Sequence, residues 1–302
     1  MRRRSLLLSV IFTAIACHAA NLTWASEDGP TAEASPPRLA NRIERTKFKS
    51  LRALKGNAND VSGLKRMTWR VGELTREALV SIPPSTDKKV PLVFAFHGHG
   101  GTSTYGARNM GFHTAWPEAI CVYPQGLPTP VPLLDPEGRL SGWQKFSGDQ
   151  EDRDLRFFDA MLATFNAEHQ IDTNRIYSAG HSNGAFFTYL LWGARGESIA
   201  AIGPIAGLIS QRAAGNFQPI PIFHVAGEAD PIVRFRLQES TISRARQING
   251  CDAEGKAAGA YCTEYASSRG TPVVTFIHPS GHEIPDGAVE RMTRFFKDHP
   301  KE

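Results

Sequence analysis

The residues best placed to do chemistry lie in Arg175–Ala185, where Ser182 stands between Gly180 and Gly184 in a G-x-S-x-G spacing. The run opens on the strand pattern Arg175–Ser178, and the helical pattern Phe186–Trp192 follows it. A serine on so tight a strand-to-helix turn needs small neighbours, which explains a glycine two residues away on each side. The turn lifts the hydroxyl clear of the sheet, and the helix start sets backbone N–H groups beside it. A serine hydroxyl is a weak nucleophile at neutral pH, so a base and an acid that orients the base must come from elsewhere in the chain.

On such a turn the acid and then the base follow in chain order, each on a loop after a strand. Asp230 fits the acid, in the turn Gly227–Pro231 after the apolar run Ile222–Ala226, with Glu228 as the competing carboxylate. Two histidines compete for the base. His282 follows Gly281 on a loop and is free to reach a nucleophile, whereas His278 ends the strand pattern Val273–Ile277 and suits packing. The run His97-Gly98-His99-Gly100-Gly101 supplies a turn whose main chain can face a developing oxyanion; the expected donors are the backbone N–H groups of His99 and Asn183. His97-x-His99 also has metal-ligand spacing, but no third ligand follows, so no metal is expected.

These loops need a scaffold. Strands are predicted at Glu77–Ile82, Val90–Phe96, Ala119–Tyr123, Arg175–Ser178, Ala200–Ile205, Ile220–Ala226 and Thr271–Ile277. Several are apolar without alternation, as parallel strands covered on both faces should be. Helical spacing is clearest in Asp154–His169, with Asp152 or Asp154 at its N-terminal end. Strands alternating with helices predict an α/β fold with a mostly parallel open sheet and helices on both faces.

Residues 1–25 carry Arg2, Arg3, Arg4 and an apolar stretch, Leu6–Ala16, and read as a signal peptide for export to the periplasm or beyond; lipoprotein anchoring at Cys17 is the alternative. That stretch is too short to span a bilayer, so no integral membrane segment is expected in the mature chain. Residues 26–37 read as a flexible linker, 38–66 as a basic arm and 67–302 as the catalytic domain. The first 25 residues carry +3, residues 26–37 carry −3 and residues 38–66 carry +7, so a total of +4 leaves 67–302 at −3. That sign argues against a nucleic-acid partner. In an oxidising compartment Cys251 and Cys262, flanking the loop Asp252–Tyr261, are expected to form a disulfide, with Cys121 buried in a strand.

From about Arg70 to Phe296 the chain resembles the secreted α/β-hydrolase esterases grouped with polyhydroxybutyrate depolymerases and feruloyl esterases. The matching residues are Phe96-His97-Gly98, Tyr123–Gly126, Asp154–Phe158, Gly180–Gly184, Gly227–Pro231 and Gly281-His282. His99 stands where cysteine is frequent in that group, and Asn183 where alanine often stands. The resemblance implies the α/β-hydrolase fold, Ser182 as nucleophile, Asp230 as acid, His282 as base, no cofactor, and a small or polymeric ester substrate of feruloyl or aryl, acyl-sugar or polyhydroxyalkanoate type. A non-catalytic binding module or a serine peptidase on the same fold is the alternative. The roughly 30-residue connection Tyr123–Asp152 far exceeds the 2–6 residues usual between strand and helix. Its Trp143 and Gln144 are the candidate substrate-binding residues, Trp143 either stacking on substrate or pinning the loop to the core. Trp116 and Trp192 read as packing residues.

Overall fold

All seven residues of Val90–Phe96 are buried. A strand so apolar on both faces needs cover above and below, and the rest of the chain supplies it. The computed structural model describes residues 59–301 apart from 86–87, 133 and 213–215; the signal peptide, the linker, Cys17 and most of the basic arm lie outside the described residues.

The strands are β1 (Lys65–Val71), β2 (Leu74–Ser81), β3 (Val90–Phe96), β4 (Ile120–Pro124), β5 (Leu127–Pro128), β6 (Ser141–Gly142), β7 (Ile171–His181), β8 (Ala201–Ile205), β9 (Ile222–Gly227), β10 (Lys256–Ala257), β11 (Cys262–Tyr265) and β12 (Val273–His278). The main sheet runs β1-β2-β4-β3-β7-β8-β9-β12-β11-β10, with β5 and β6 paired apart from it. It is parallel from β4 through β12 and antiparallel at both margins. Helices α1 (Ser103–Met110), α2 (Phe112–Ala115), α3 (Arg153–Glu168), α4 (Asn183–Arg195), α5 (Phe235–Asn249) and α6 (Ala288–Asp298) flank it.

Alternation along β3 divides the core. Leu92, Phe94 and Phe96 join Leu155, Phe158 and Met161 of α3 and Phe187 and Leu191 of α4. Val93 and Ala95 join Ala107 of α1, Phe112 of α2 and Met292 and Phe296 of α6. Helices therefore cover both faces, as expected.

Three expectations need correction. The domain takes in residues assigned to the basic arm: Lys65 and Arg66 open β1, and Val61 and Leu64 pack on the core. The loop before Cys262 folds into the β10–β11 hairpin edge. Cys251 and Cys262 are free thiols, not a disulfide. The sheet separates them, because Cys251 packs against the core on the Phe94 side while Cys262 belongs to the opposite side with Phe276. A disulfide needs Cβ atoms about 3.8 Å apart, which side chains on opposite faces do not reach. Cys121 is free and fully buried, its thiol pKa pushed up by burial.

Candidate active site

The loops after β3, β7, β9 and β12 emerge at the carboxyl ends of neighbouring parallel strands, where open α/β sheets hold their ligands. β7 runs into Ser182, whose backbone is at φ 55° and ψ −120° before α4 begins. This left-handed conformation is costly for a residue with a side chain and persists where the surroundings enforce it. Here Ser182 N–H donates to the Ile205 carbonyl at the end of β8 (2.8 Å), and the Ser182 carbonyl accepts from Ala185 and Phe186. A Cβ on Gly180 would stand 2.3 Å from the Gly184 oxygen, and one on Gly184 would stand 2.1 Å from the Phe96 oxygen. The spacing of the two glycines is thus a steric requirement of the turn.

The next two loops are zipped together. Glu228 N–H donates to the His278 carbonyl (2.8 Å) and Ala229 N–H to that of Ser280 (3.1 Å); a Cβ on Gly227 would stand 2.2 Å from the Gly281 oxygen. This contact brings His282 Nδ1 to 2.8 Å from Asp230 Oδ2, with only 7% of the imidazole and 0% of the carboxylate side chain exposed. Asp230 Oδ1 accepts the N–H groups of Ile232 and Val233 (2.8 and 2.9 Å). Burial pushes the Asp230 carboxyl up, but the hydrogen bond and charge of His282 and these two N–H groups outweigh it and hold it below the ordinary value. Of the competitors, Glu228 is exposed and His278 is buried at the end of β12. The His181 ring, beside Ser182 in sequence, lies 4.9 Å from that of His282.

The loop after β3 runs against the serine: a Cβ on Gly98 would lie 3.3 Å from Ser182 Cβ and 3.4 Å from the His181 oxygen. His97 shapes it. Its Nε2 accepts the Gly126 N–H (3.0 Å), so the proton is on Nδ1, which donates to the Gly98 carbonyl (2.7 Å). Burial lowers its pKa to about 4, against the Gly98 bond, so the ring is neutral at pH 7. The His99 ring turns to Asp135 Oδ2 (3.2 Å). Asn183 stands first in α4, where backbone N–H groups have no partner within the helix.

No protein-family model matches the chain. It is 29% identical to feruloyl esterase D of Neurospora crassa over 154 residues, 49% of this chain. It is 26% identical to the bifunctional acetylxylan esterase/xylanase XynS20E of Neocallimastix patriciarum over 181 residues, 59% of this chain. The chain spans about half the length of the first (52%) and a quarter of the second (25%). Among solved structures, the acetyl xylan esterase from Aspergillus awamori superposes with a TM-score of 0.59 at 13% identity, over 77% of this chain and 99% of that one. The Bacillus cereus carboxylesterase gives 0.54 at 16% identity, over 74% and 94%. The fold is that of the α/β-hydrolases.

Within this α/β-hydrolase fold Trp143 takes the second of its two expected roles, pinning the loop to the core, and Gln144 caps a helix rather than facing a ligand. Trp143 is 0% exposed. Its indole stacks on Phe187 and meets Phe96 edge-on, and its Nε1–H donates to the His97 carbonyl (2.8 Å). The Asn183 side chain clamps the Trp143 main chain, Oδ1 accepting its N–H (2.6 Å) and Nδ2 donating to its carbonyl (3.1 Å). Trp143 therefore ties the long loop to the serine turn and the His97 loop, and offers no wall to a ligand. Gln144, also 0% exposed, caps α3: Oε1 accepts the N–H groups of Asp154 and Leu155, and Nε2 donates to Asp152 Oδ1. Trp116 and Trp192 pack in the core as expected.

The sequence reading missed the residues that brace the site. Asp135 accepts the N–H groups of Arg139 and Leu140 besides meeting His99, and a lone Asp among prolines and glycines carries no signal of that. Arg76 and Asp154 form an ion pair at 2.8 Å with both side chains 0% exposed. Arg76 lies just before the predicted strand Glu77–Ile82, between Thr75 and Glu77, where nothing in the local sequence signals burial.

Proposed function

We propose that the chain is an exported serine esterase hydrolysing carboxylic esters through an acyl-enzyme. The observation that carries this reading is the buried contact of Asp230 with His282 on interlocked loops, the His282 ring lying 4.9 Å from that of His181, the neighbour of a serine held at positive φ. In the proposed reaction His282 takes the Ser182 hydroxyl proton as Oγ bonds to the ester carbonyl carbon. The oxyanion so formed faces the backbone N–H groups of His99 and Asn183. Collapse breaks the ester C–O bond, and the proton on His282 goes to the departing alcohol. A water molecule then attacks the acyl carbon, giving its proton to His282, and the second collapse frees the acid and returns the proton to Ser182. Asp230 holds the imidazole with its proton on Nδ1 and stabilises the imidazolium.

Relatives named for feruloyl and acetylxylan esters support an acyl group of hydroxycinnamoyl or acetyl type on a sugar hydroxyl. The test sets methyl ferulate, an acetylated xylooligosaccharide and a hydroxybutyrate dimer before the purified protein and its Ser182→Ala variant. Hydrolysis of at least one of the first two, lowered about 10³-fold or more by the substitution, with a fluorophosphonate adduct on Ser182, is expected. Undiminished hydrolysis by the variant overturns the assignment, and preference for the hydroxybutyrate dimer overturns the substrate class.

A further inference from the structure

A second set of buried polar groups lies beneath Asp230, beyond the residues assigned above. Asp230 Oδ2, which meets His282, also accepts from Gln238 Nε2 on α5 (3.2 Å). Gln238 Oε1 faces His224 Nε2 on β9 (3.3 Å). His224 Nδ1 meets the Tyr189 hydroxyl of α4 at 2.6 Å. Gln238, His224 and Tyr189 are each 0% exposed. Strand β9 with the loop that follows it, α5 and α4 thus place four polar side chains, Asp230, Gln238, His224 and Tyr189, in a chain behind the imidazole that the proposed reaction uses as its base.

The direction of every hydrogen bond in this line follows from its ends. Gln238 Nε2 has two partners that can only accept, the Asp230 carboxylate and the Val233 carbonyl (2.7 Å). The amide nitrogen must face them, which turns Oε1 to His224. An amide oxygen can only accept, so His224 carries its proton on Nε2 and leaves Nδ1 as an acceptor. The Tyr189 hydroxyl must then be the donor. Burial lowers the His224 pKa to about 4, against the Gln238 bond, so the ring stays neutral and the direction holds at neutral pH.

We propose that Gln238, His224 and Tyr189 are positioning residues whose hydrogen bonds, running one way from Tyr189 to Asp230, lock the Asp230 carboxylate in the rotamer that receives His282 Nδ1–H. The inference rests on the reading of Asp230 and His282 given above. With Gln238 in place the carboxylate has four donors: the N–H groups of Ile232 and Val233 on Oδ1, and His282 and Gln238 on Oδ2. A carboxylate held at both oxygens cannot turn about its last bond, and small displacements at a catalytic base cost large factors in rate.

The test uses the full chain. In the wild-type protein, ¹⁵N-resolved histidine spectra should show His224 protonated on Nε2 only and a downfield His282 Nδ1–H proton. Gln238→Leu should lower kcat about 10–100-fold with KM within about twofold of wild type, while the His282 Nδ1–H resonance shifts or is lost to exchange. Tyr189→Phe removes one oxygen from the core, so its fold is retained if Gln238→Leu fails to fold. It should weaken the same resonance and lower kcat by a smaller factor. A His224 ring protonated on Nδ1 overturns the proposal, as does wild-type kcat with an unchanged resonance in a folded Gln238→Leu or, failing that, in Tyr189→Phe. The spectra do not depend on turnover. An active Ser182→Ala variant beside the expected spectra would refute the esterase reading and leave the positioning line standing, whereas an inactive Ser182→Ala beside a fully active Gln238→Leu would do the reverse.

Discussion

Truncating Trp143 separates a core staple from a substrate wall, because the two roles predict opposite patterns of stability and selectivity. The side chain is fully buried among Phe96, His97 and Phe187. Trp143→Ala should therefore cost about 3–5 kcal/mol for transfer and cavity together. The His97 carbonyl that accepts the indole N–H would lose that donor in the interior, adding about 1–3 kcal/mol. Against a total stability of about 5–15 kcal/mol that loss can unfold the protein, so Trp143→Phe is the informative variant. It keeps an aromatic ring but drops the N–H and part of the volume, and should cost about 2 kcal/mol, read from the midpoint of urea unfolding. Initial rates on methyl ferulate and p-nitrophenyl acetate should fall by the same factor, because the residue is fully buried against the Asn183 and His97 loops. Unchanged stability with a loss confined to the feruloyl ester would refute the packing assignment and restore Trp143 to the binding surface.

Removing one partner of the Arg76–Asp154 pair, as in Asp154→Ala, should cost about 3–5 kcal/mol because it strands a buried charge; a cost below about 1 kcal/mol in denaturant titration would show that water reaches Arg76. Stability should also fall on acidification. His97, His181 and His224 have pKa values lowered by burial to about 4, 3 and 4, so below pH 6.5 the unfolded chain takes up protons that the folded chain does not. Up to three such protons give a slope of about 4 kcal/mol per pH unit near pH 5; the contribution is fully present above pH 6.5, and urea midpoints unchanged between pH 7 and 5 would contradict neutral burial. Mass spectrometry of unreduced digests should find Cys121, Cys251 and Cys262 as free thiols; a Cys251–Cys262 linked peptide would contradict their placement on opposite faces of the sheet.

What could be read from the sequence divides along the range of the interactions. β3 was placed to the residue because seven consecutive apolar side chains state their burial locally. The serine turn was legible because its glycines are demanded by atoms within a few residues or on the adjoining strand. β7 was read short: after the buried Ile171 come the polar Asp172, Thr173 and Asn174, and beyond Ser178 it continues through Ala179 and Gly180, which carry no β-branched signal. The β1 strand was not predicted, and its first two residues went to the basic arm, because its alternation opens on Lys65 and Arg66, which read as charge before they read as pattern. The disulfide failed for a related reason. Sequence proximity says nothing of which side of the sheet a side chain takes, and a hairpin edge places Cys262 on the side opposite Cys251.

Trp143 and Gln144 show the same limit at the site itself. A polar or aromatic residue on a long loop near a candidate nucleophile has two uses, and the local sequence does not distinguish them. The choice is made by partners 40 and 46 residues away for Trp143, the Asn183 side chain and the His97 carbonyl. For Gln144 it is made by the unpaired N–H groups of a helix start ten residues on. Groups that must satisfy main-chain hydrogen bonds inside the protein are held there by the cost of leaving those bonds unmade, so they cannot also be available to a ligand. That places the substrate contacts of the proposed reaction on side chains with exposed surface around Ser182. Leu140 of the same long loop is 42% exposed, with Cδ1 3.4 Å from where a Cβ on Gly100 of the proposed oxyanion loop would stand. The long loop thus meets the proposed oxyanion loop at Leu140, and Trp143, three residues later, anchors it through the His97 carbonyl and the Asn183 side chain.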